Sequence, residues 1–368
     1  MKYYLIAGEA SGDLHGSNLM KQLQILDPAA DFRFWGGNKM LAVGGTMVEH
    51  YRNTAFMGFL EVIKNLSTIL NFIKKCKKDI ADFAPDVLIL IDYPGFNLRI
   101  AKWAKPAGFK VVYYIVPQVW AWHKSRVHDL GKFTDQLLVI LPFEKAFFKE
   151  NGYETIYTGH PLLDEILVFK SNPDFETKYQ IKKEIIALLP GSRMQEIKLI
   201  LPIMLRSIKN KDYDIMLAGA PAIADDIYLQ IIEKEQLTGK VILVRNQTYE
   251  ILSRAKFALV GSGTATLETA LFRVPQIVCY KGGKISYMIA KKLVDLKYIS
   301  LVNLIARKEV VKELIQNDLT PDNINLALDD LTKNRQKVMD DYDQLIRDLG
   351  KEGASRHAAE SILQIVHT

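Results

Sequence analysis

The sequence is poor in cysteine. Cys76 and Cys279 are the only two in 368 residues, far apart and outside any CxxC spacing, which argues against a disulfide framework or a zinc knuckle and for a reducing compartment. It also lacks a long apolar run. A bilayer-spanning helix needs about 20 apolar residues, and no uninterrupted run of that kind occurs. The chain enters an apolar strand within three residues of Met1, with no basic, apolar and cleavage regions of a signal peptide before it, so a cytoplasmic protein is expected. Low-complexity segments and short repeats are missing as well. Charge of one sign is barely in excess, 48 Lys plus Arg against 42 Asp plus Glu for a net +6. That imbalance, unaccompanied by any recognised nucleic-acid module, predicts no nucleic-acid partner.

What is present is an alternation of apolar strands and amphipathic helices. At 368 residues the chain exceeds the size at which one core keeps growing, so two domains are expected. Strands are predicted at 3–7, 32–36, 87–92, 111–116, 137–141 and 156–158, then at 185–189, 215–218, 241–244, 258–260 and 276–279. The alternation predicts α/β domains with parallel sheets covered by helices. Residues 169–179, polar and holding Pro173, read as a linker. After Pro321 the pattern is helical to the end. The expected domains are 1–168 and 169–335, with helices over 336–368 packing back or forming a dimer contact.

In open parallel sheets ligands bind beyond the carboxyl ends of the strands. Two such ends break at glycine and restart as helix: Leu188-Leu189-Pro190-Gly191-Ser192-Arg193 and Val260-Gly261-Ser262-Gly263-Thr264-Ala265-Thr266-Leu267-Glu268. Gly261 and Gly263 allow close backbone approach. Ser262 and Thr264 add donors at a helix N-terminus, and Glu268, one turn on, is spaced to accept from a ribose diol. A tight turn with an ordinary cap explains the second segment equally well. Arg193 tips the balance toward phosphate, because its planar guanidinium suits phosphate oxygens.

The first half has a related turn, Gly8-Glu9-Ala10-Ser11-Gly12-Asp13, which lacks a full GxGxxG and so argues against a dinucleotide-dependent dehydrogenase. Asp92 ends an apolar strand and precedes Tyr93-Pro94-Gly95-Phe96-Asn97. A carboxylate there is a candidate general base, since partial desolvation raises its pKa. The alternative is a helix cap, for which Asn97 is better placed. Glu9 and Asp13 compete for the role of base, and Ser11 or Asp13 could serve only as caps. Lys74, Lys75, Lys77 and Lys78 form one basic cluster, and Lys281, Lys284, Lys291 and Lys292 another. Solvated helix faces are the plain explanation. Attraction to anionic lipid or a phosphorylated acceptor is the sharper one. Met57 and Phe59 beside Gly58, and Trp120 in a two-tryptophan loop, read as core or as an apolar rim for a greasy substrate.

Taken in order, Gly8 to Asp13, Met57-Gly58 with Glu61-Val62, Ile91-Asp92 with Pro94, Phe96 and Asn97, Val119-Trp120-Ala121-Trp122, Leu141-Pro142-Phe143-Glu144, Gly159-His160-Pro161, Leu188 to Arg193, Gly261 to Ala265, and Ser300-Leu301 with Asn303-Leu304 resemble the lipid-A-disaccharide synthase family along essentially the whole chain. The resemblance implies a GT-B fold, two Rossmann-like domains facing a cleft with a helical C-terminal segment. It implies an inverting glycosyltransferase of the lipopolysaccharide pathway that joins UDP-2,3-diacylglucosamine to lipid X, 2,3-diacylglucosamine 1-phosphate, and releases UDP. Asp92 matches the family's base, Asn303 another important position, and Glu268 the ribose-binding acid. With Arg193, Gly191, Ser192 and Gly261 to Thr264 on the diphosphate, and Glu9, Ser11, Gly12, Asp13, Met57, Phe59 and Trp120 as acceptor-side candidates, no metal and no cofactor are expected. Peripheral association with the inner face of the inner membrane and a homodimer through the C-terminal helices are also implied.

The chain departs from the family in having Gly95 where a second aspartate is common, and Val116-Pro117-Gln118 where Ser-Pro-Ser is frequent. Rival functions are another UDP-N-acetylglucosamine enzyme, either a muramyl-lipid glucosaminyltransferase or a 2-epimerase, and a nucleotide-binding membrane scaffold without turnover.

Overall fold

The strands that centre each sheet are apolar without a break. Val87–Ile91 and Ile185–Leu189 are buried at every position, as expected where helices cover both faces of a parallel sheet. The structure, a computed structural model, describes residues 1–54, 66–120, 126–282 and 297–367. It divides into two units, Met1–Asp164 with Leu349–Thr368, and Glu165–Asp348.

The first unit runs β1 (Lys2–Ala7), α1 (Ala10–Leu26), β2 (Asp31–Gly36), α2 (Asn38–Val43), β3 (Thr46–His50), α3 (Tyr51–Thr54), α4 (Leu66–Phe83), β4 (Val87–Ile91), α5 (Pro94–Ala104), β5 (Val111–Tyr114), α6 (Arg126–Lys132), β6 (Gln136–Val139), α7 (Pro142–Glu150) and β7 (Ile156–Tyr157), then enters α8 (Pro161–Leu167), inside which the division falls. Its sheet is seven-stranded and parallel, in the order β3-β2-β1-β4-β5-β6-β7. The order reverses between β1 and β4, whose last residues Ala7 and Ile91 are register partners. The loops after these two strands are therefore neighbours.

In the second unit α9 (Phe175–Tyr179), β8 (Ile185–Leu189), α10 (Met194–Ile208), β9 (Asp214–Gly219), α11 (Asp225–Lys234), β10 (Val241–Arg245), α12 (Thr248–Leu252), β11 (Ala255–Gly261), α13 (Thr264–Leu271), β12 (Gln276–Tyr280), α14 (Leu301–Ala306), β13 (Lys312–Ile315), α15 (Pro321–Lys333) and α16 (Arg335–Leu349) follow. The six-stranded parallel order is β10-β9-β8-β11-β12-β13. Here the reversal lies between β8 and β11, the two strands that end in the glycine turns.

Three expectations need correction. Strands β3 and β13 were not anticipated: both are edge strands, and their sequences TMVEH and KELI lack the continuous apolar run of a central strand. Residues 169–179 are not a free linker. Phe175 is fully buried, the Phe169 ring meets Tyr249 and Phe272 edge-on, and the Asn172 N–H donates to Glu250 Oε1 at 2.9 Å. The stretch 336–368 is not one body either, since the units separate at residue 349.

The C-terminal helix Ala354–His367 completes the first unit. Ala358, Ala359 and Ile362 share a core with Leu19, Met20 and Leu23 of α1, the two small alanines allowing close approach. Burying a side chain such as Ile362 stabilises by about 1.5–3 kcal/mol. The helix starts on a carboxylate: Asp164 accepts from the N–H groups of Gly353, Ala354 and Ser355 at 2.6, 3.3 and 3.1 Å, satisfying donors that a first helical turn leaves open.

Candidate active site

In the second unit the two glycine turns touch. A Cβ on Gly261 would lie 3.1 Å from the Gly191 nitrogen, so glycine is what allows the ends of β8 and β11 to close on each other. Gly191 has φ +112, and a Cβ there would stand 2.5 Å from Glu196 Oε2. Gly263, at φ +146, precedes α13 and offers no side chain to cap it. The Thr266 N–H turns back to the Gly263 carbonyl at 3.1 Å, and with no side-chain cap at Gly263 the start of α13 is a helix end of the kind that receives anions. Together the turns line a cavity of about 520 Å³ with Ala218 to Pro221, Thr248 and Glu268.

The polar side chains around this cavity differ in how firmly they are held. Arg193 is 74% exposed, with Glu196 Oε1 3.5 Å from its Nη1, so its guanidinium can swing onto a diphosphate at little structural cost. Glu268 accepts from the Tyr249 hydroxyl at 3.1 Å. Burial raises its pKa, and the Tyr249 bond partly offsets that. Ser262 Oγ donates to the Ile299 carbonyl at 3.3 Å. Ser192 and Thr264 are exposed on the rim.

Asn303 is placed differently from a ligand-holding residue. It is 0% exposed, its Nδ2 donates to Val311 O (2.8 Å) and Glu313 Oε1 (2.9 Å), and its Oδ1 accepts from the Val310 and Val311 N–H groups. Both ends of the amide are committed within the unit. Direct contact with a diphosphate or sugar would require that network to open.

In the first unit Asp92 follows β4 beside Gly8 at the switch point. Asp92 and Tyr93 both have left-handed backbone, φ 45 and 50. Burial, then the nearby Glu9 charge, pushes the Asp92 carboxyl up to about 6, against a smaller lowering by the Tyr93 N–H. A carboxylate with a pKa near that value can both hold and release a proton near neutral pH, as a general base must. Glu9 is exposed at the start of α1, and Ser11 is exposed one residue into it.

Other first-unit candidates are tied into the scaffold. Asp13 accepts from the N–H groups of Gly37 (2.8 Å), Lys39 (3.1 Å) and Met40 (3.0 Å), so it caps α2 and not its own helix. Gly12 lets α1 lie close on β1, a Cβ there falling 3.1 Å from Ala7 Cβ. Asn97 is not a helix cap: it points back from α5 to the strand ends, donating to the carbonyls of Ile6, Ile91 and Asp92. Trp120 is 7% exposed, packs edge-on against Phe143 and donates from Nε1 to Glu144 at 3.0 Å, which makes it core and not an apolar rim. Met57 and Phe59 lie outside the described residues.

Glu196, Thr248 and Tyr249 were missed from sequence. Glu196 had a usable signal, the Arg193-x-x-Glu196 spacing of a helix start, and it accepts from the Arg193 N–H at 3.4 Å. Thr248 and Tyr249 carry none, because they come from α12, after β10, Thr248 to line the cavity and Tyr249 to meet Glu268. Among the described residues no group of three or more His, Cys, Asp or Glu side chains is placed to hold a metal ion.

Two parallel α/β units, each with its loops of interest at a sheet switch point, define the GT-B class. Solved structures with this fold include the glycotransferase of kitacinnamycin, at TM-score 0.69, 11% identity and 99% coverage of each chain. The UDP-GlcNAc 2-epimerase from Neisseria meningitidis, solved bound to UDP-GlcNAc, matches at TM-score 0.64 and 14% identity over 99% of this chain and 100% of that one. Sequence is more specific. A profile of the Lipid-A-disaccharide synthetase family matches residues 3–366, and the chain belongs to that family. It is 37% identical over 372 residues to the lipid-A-disaccharide synthase of Syntrophus aciditrophicus strain SB, covering 98% of this chain and 97% of that one. To the synthase of Persephonella marina strain DSM 14350 / EX-H1 it is 35% identical over 382 residues, covering 99% of each. The protein is accordingly a glycosyltransferase enzyme of lipid A biosynthesis.

Proposed function

We propose that the enzyme condenses UDP-2,3-diacylglucosamine with lipid X to give the β-1,6-linked disaccharide 1-phosphate and UDP. The observation that carries the donor half is the meeting of the Gly191 and Gly261 turns beside an uncapped helix N-terminus in one cavity. Such an arrangement is suited to a diphosphate. Arg193 and the α13 N–H groups would neutralise charge as it develops on UDP, and Glu268 would hold the ribose diol.

The acceptor half rests on Asp92. Its carboxylate would take the proton from the primary hydroxyl of lipid X while that oxygen forms a bond to the anomeric carbon. The bond from that carbon to UDP breaks on the opposite face, and UDP leaves with the electron pair. With Gly95 in place of a second carboxylate, the burden of base falls on Asp92 alone.

Location at the inner face of the inner membrane and self-association through the C-terminal helices belong to the same proposal. No helix among the described residues is long and apolar enough to cross a membrane, which is compatible with peripheral attachment.

The test is incubation of the purified protein with UDP-2,3-diacylglucosamine and lipid X, following disaccharide and UDP by mass spectrometry. Equal rates with UDP-N-acetylglucosamine, whose one acyl group is acetyl in place of long chains, would overturn the assignment of substrate. UDP binding without disaccharide would favour a non-catalytic scaffold.

A further inference from the structure

The bend that carries Asp92 is held against its own preference. Left-handed backbone is disfavoured for any residue with a Cβ, and a residue before proline is steered toward extended backbone. Yet Asp92 and Tyr93 take φ 45 and 50 in succession, and Tyr93 precedes Pro94. Such a conformation persists only where its surroundings over-determine it.

The surroundings are specific. The Asp92 carbonyl accepts from Asn97 Nδ2 at 2.8 Å and from the Tyr113 hydroxyl at 2.7 Å. Asn97 is fully buried, and its Nδ2 also lies 3.2 Å from the Ile91 carbonyl and 3.3 Å from that of Ile6. One amide thereby ties together the ends of β1 and β4, the strands that flank the switch point. Tyr113 is fully buried on β5, the next strand over. The Tyr93 ring fills the place of a side chain at Gly8, where a Cβ would lie 2.2 Å from Tyr93 Cγ.

We propose that Asn97 and Tyr113 are positioning residues for Asp92, fixing through its carbonyl the peptide from which the carboxylate projects. Their hydrogen bonds run to the Asp92 carbonyl, although the Asp92 charge, after burial, also raises the Tyr113 pKa. Their effect is on where the carboxylate stands. The proposal rests on Asp92 being the base, and its test separates the two claims.

Tyr113→Phe removes one hydroxyl and keeps the ring, and Asn97→Ser shortens the amide donor. For Tyr113→Phe, kcat should fall about tenfold or more, since a misplacement of about 1 Å at a reacting group can cost about 100-fold. KM for both substrates, UDP affinity by calorimetry and the thermal midpoint should stay close to the parent values. In an Asp92→Asn background the Tyr113→Phe change should lower residual turnover no further. If Tyr113→Phe keeps full kcat, or loses activity only in proportion to a drop in folded protein, the positioning role is wrong. If Asp92→Asn itself turns over normally, the base assignment fails and takes this role with it. Should Asn97→Ser not fold, the Tyr113→Phe result alone decides.

Discussion

Asn303 Nδ2 lies 2.9 Å from Glu313 Oε1, and the same carboxylate collects the N–H groups of Ile299 and Ser300 and the Ser300 hydroxyl. Glu313 thus gathers the segment whose Ile299 carbonyl takes the Ser262 hydroxyl of the donor turn. A chain of hydrogen bonds thereby runs from Asn303 through Glu313 and Ile299 to Ser262, which lines the cavity.

Asn303→Ala should therefore be a stability variant first. It leaves the Val310 and Val311 N–H groups and the Val311 carbonyl without their partner, and orphaned buried groups of this kind cost about 1–3 kcal/mol each. A clear fall in thermal midpoint, accompanied by weaker UDP binding, is expected from calorimetry. An unchanged midpoint with turnover abolished would instead mean that Asn303 meets the substrate directly.

Arg193→Ala should behave in the opposite way. With 74% of its side chain exposed, its loss leaves the thermal midpoint unmoved. UDP affinity should drop by about tenfold or more, the range of a lost charge-assisted bond. Unaltered affinity for UDP and an unaltered rate would remove Arg193 from the phosphate site.

The pH dependence of kcat/KM should show an acid limb near 6, where Asp92 protonates. Because Glu9 helps hold that pKa up, Glu9→Gln should move the limb to lower pH. The stability sign is the reverse of the activity sign. The folded pKa of about 6 exceeds the ordinary 3.8, so ionising Asp92 costs stability as pH rises through that window. Asp92→Asn should flatten that part of the stability curve, and a Glu9→Gln limb at the parent position would refute the coupling.

Two first-unit histidines set a second window. Burial lowers His15 to about 4 and His160 to about 3, from 6.5. Nearby Asp164 raises His15 slightly, whereas His15 lowers His160 further. The folded chain therefore prefers both neutral. Their contribution is complete above about 6.5 and is lost as pH falls toward 4 and then 3. Denaturant titrations across that range should show stability falling with pH, less steeply for His160→Gln. A parent curve level between 6.5 and 4, once the opposing Asp92 contribution is removed by Asp92→Asn, would contradict this.

Much of the site was legible because its signals are local. A strand that breaks at glycine and restarts as helix is written in consecutive residues, so Gly191 to Arg193 and Gly261 to Glu268 could be found without coordinates. Asp92 stood out for the same reason, as an acid at the end of an apolar run. The edge strands β3 and β13 were hidden, since an edge strand does not need the apolar continuity by which central strands are recognised.

Residue order alone carries the alternation of strands and helices, the two strand ends that break at glycine and, through the ordered motifs, the family. Which strand ends become neighbours is settled in the folded chain, because strand order follows from packing between segments far apart in the sequence. Gly8 meets Tyr93, the residue after Asp92, across β1 and β4, and Gly191 meets Gly261 across β8 and β11. Tertiary packing likewise assigned Asp13 to capping α2, Trp120 to the core and Asn303 to Glu313. A polar side chain's role depends on which partners the fold brings within about 3 Å of it, and residue order alone does not carry that distance.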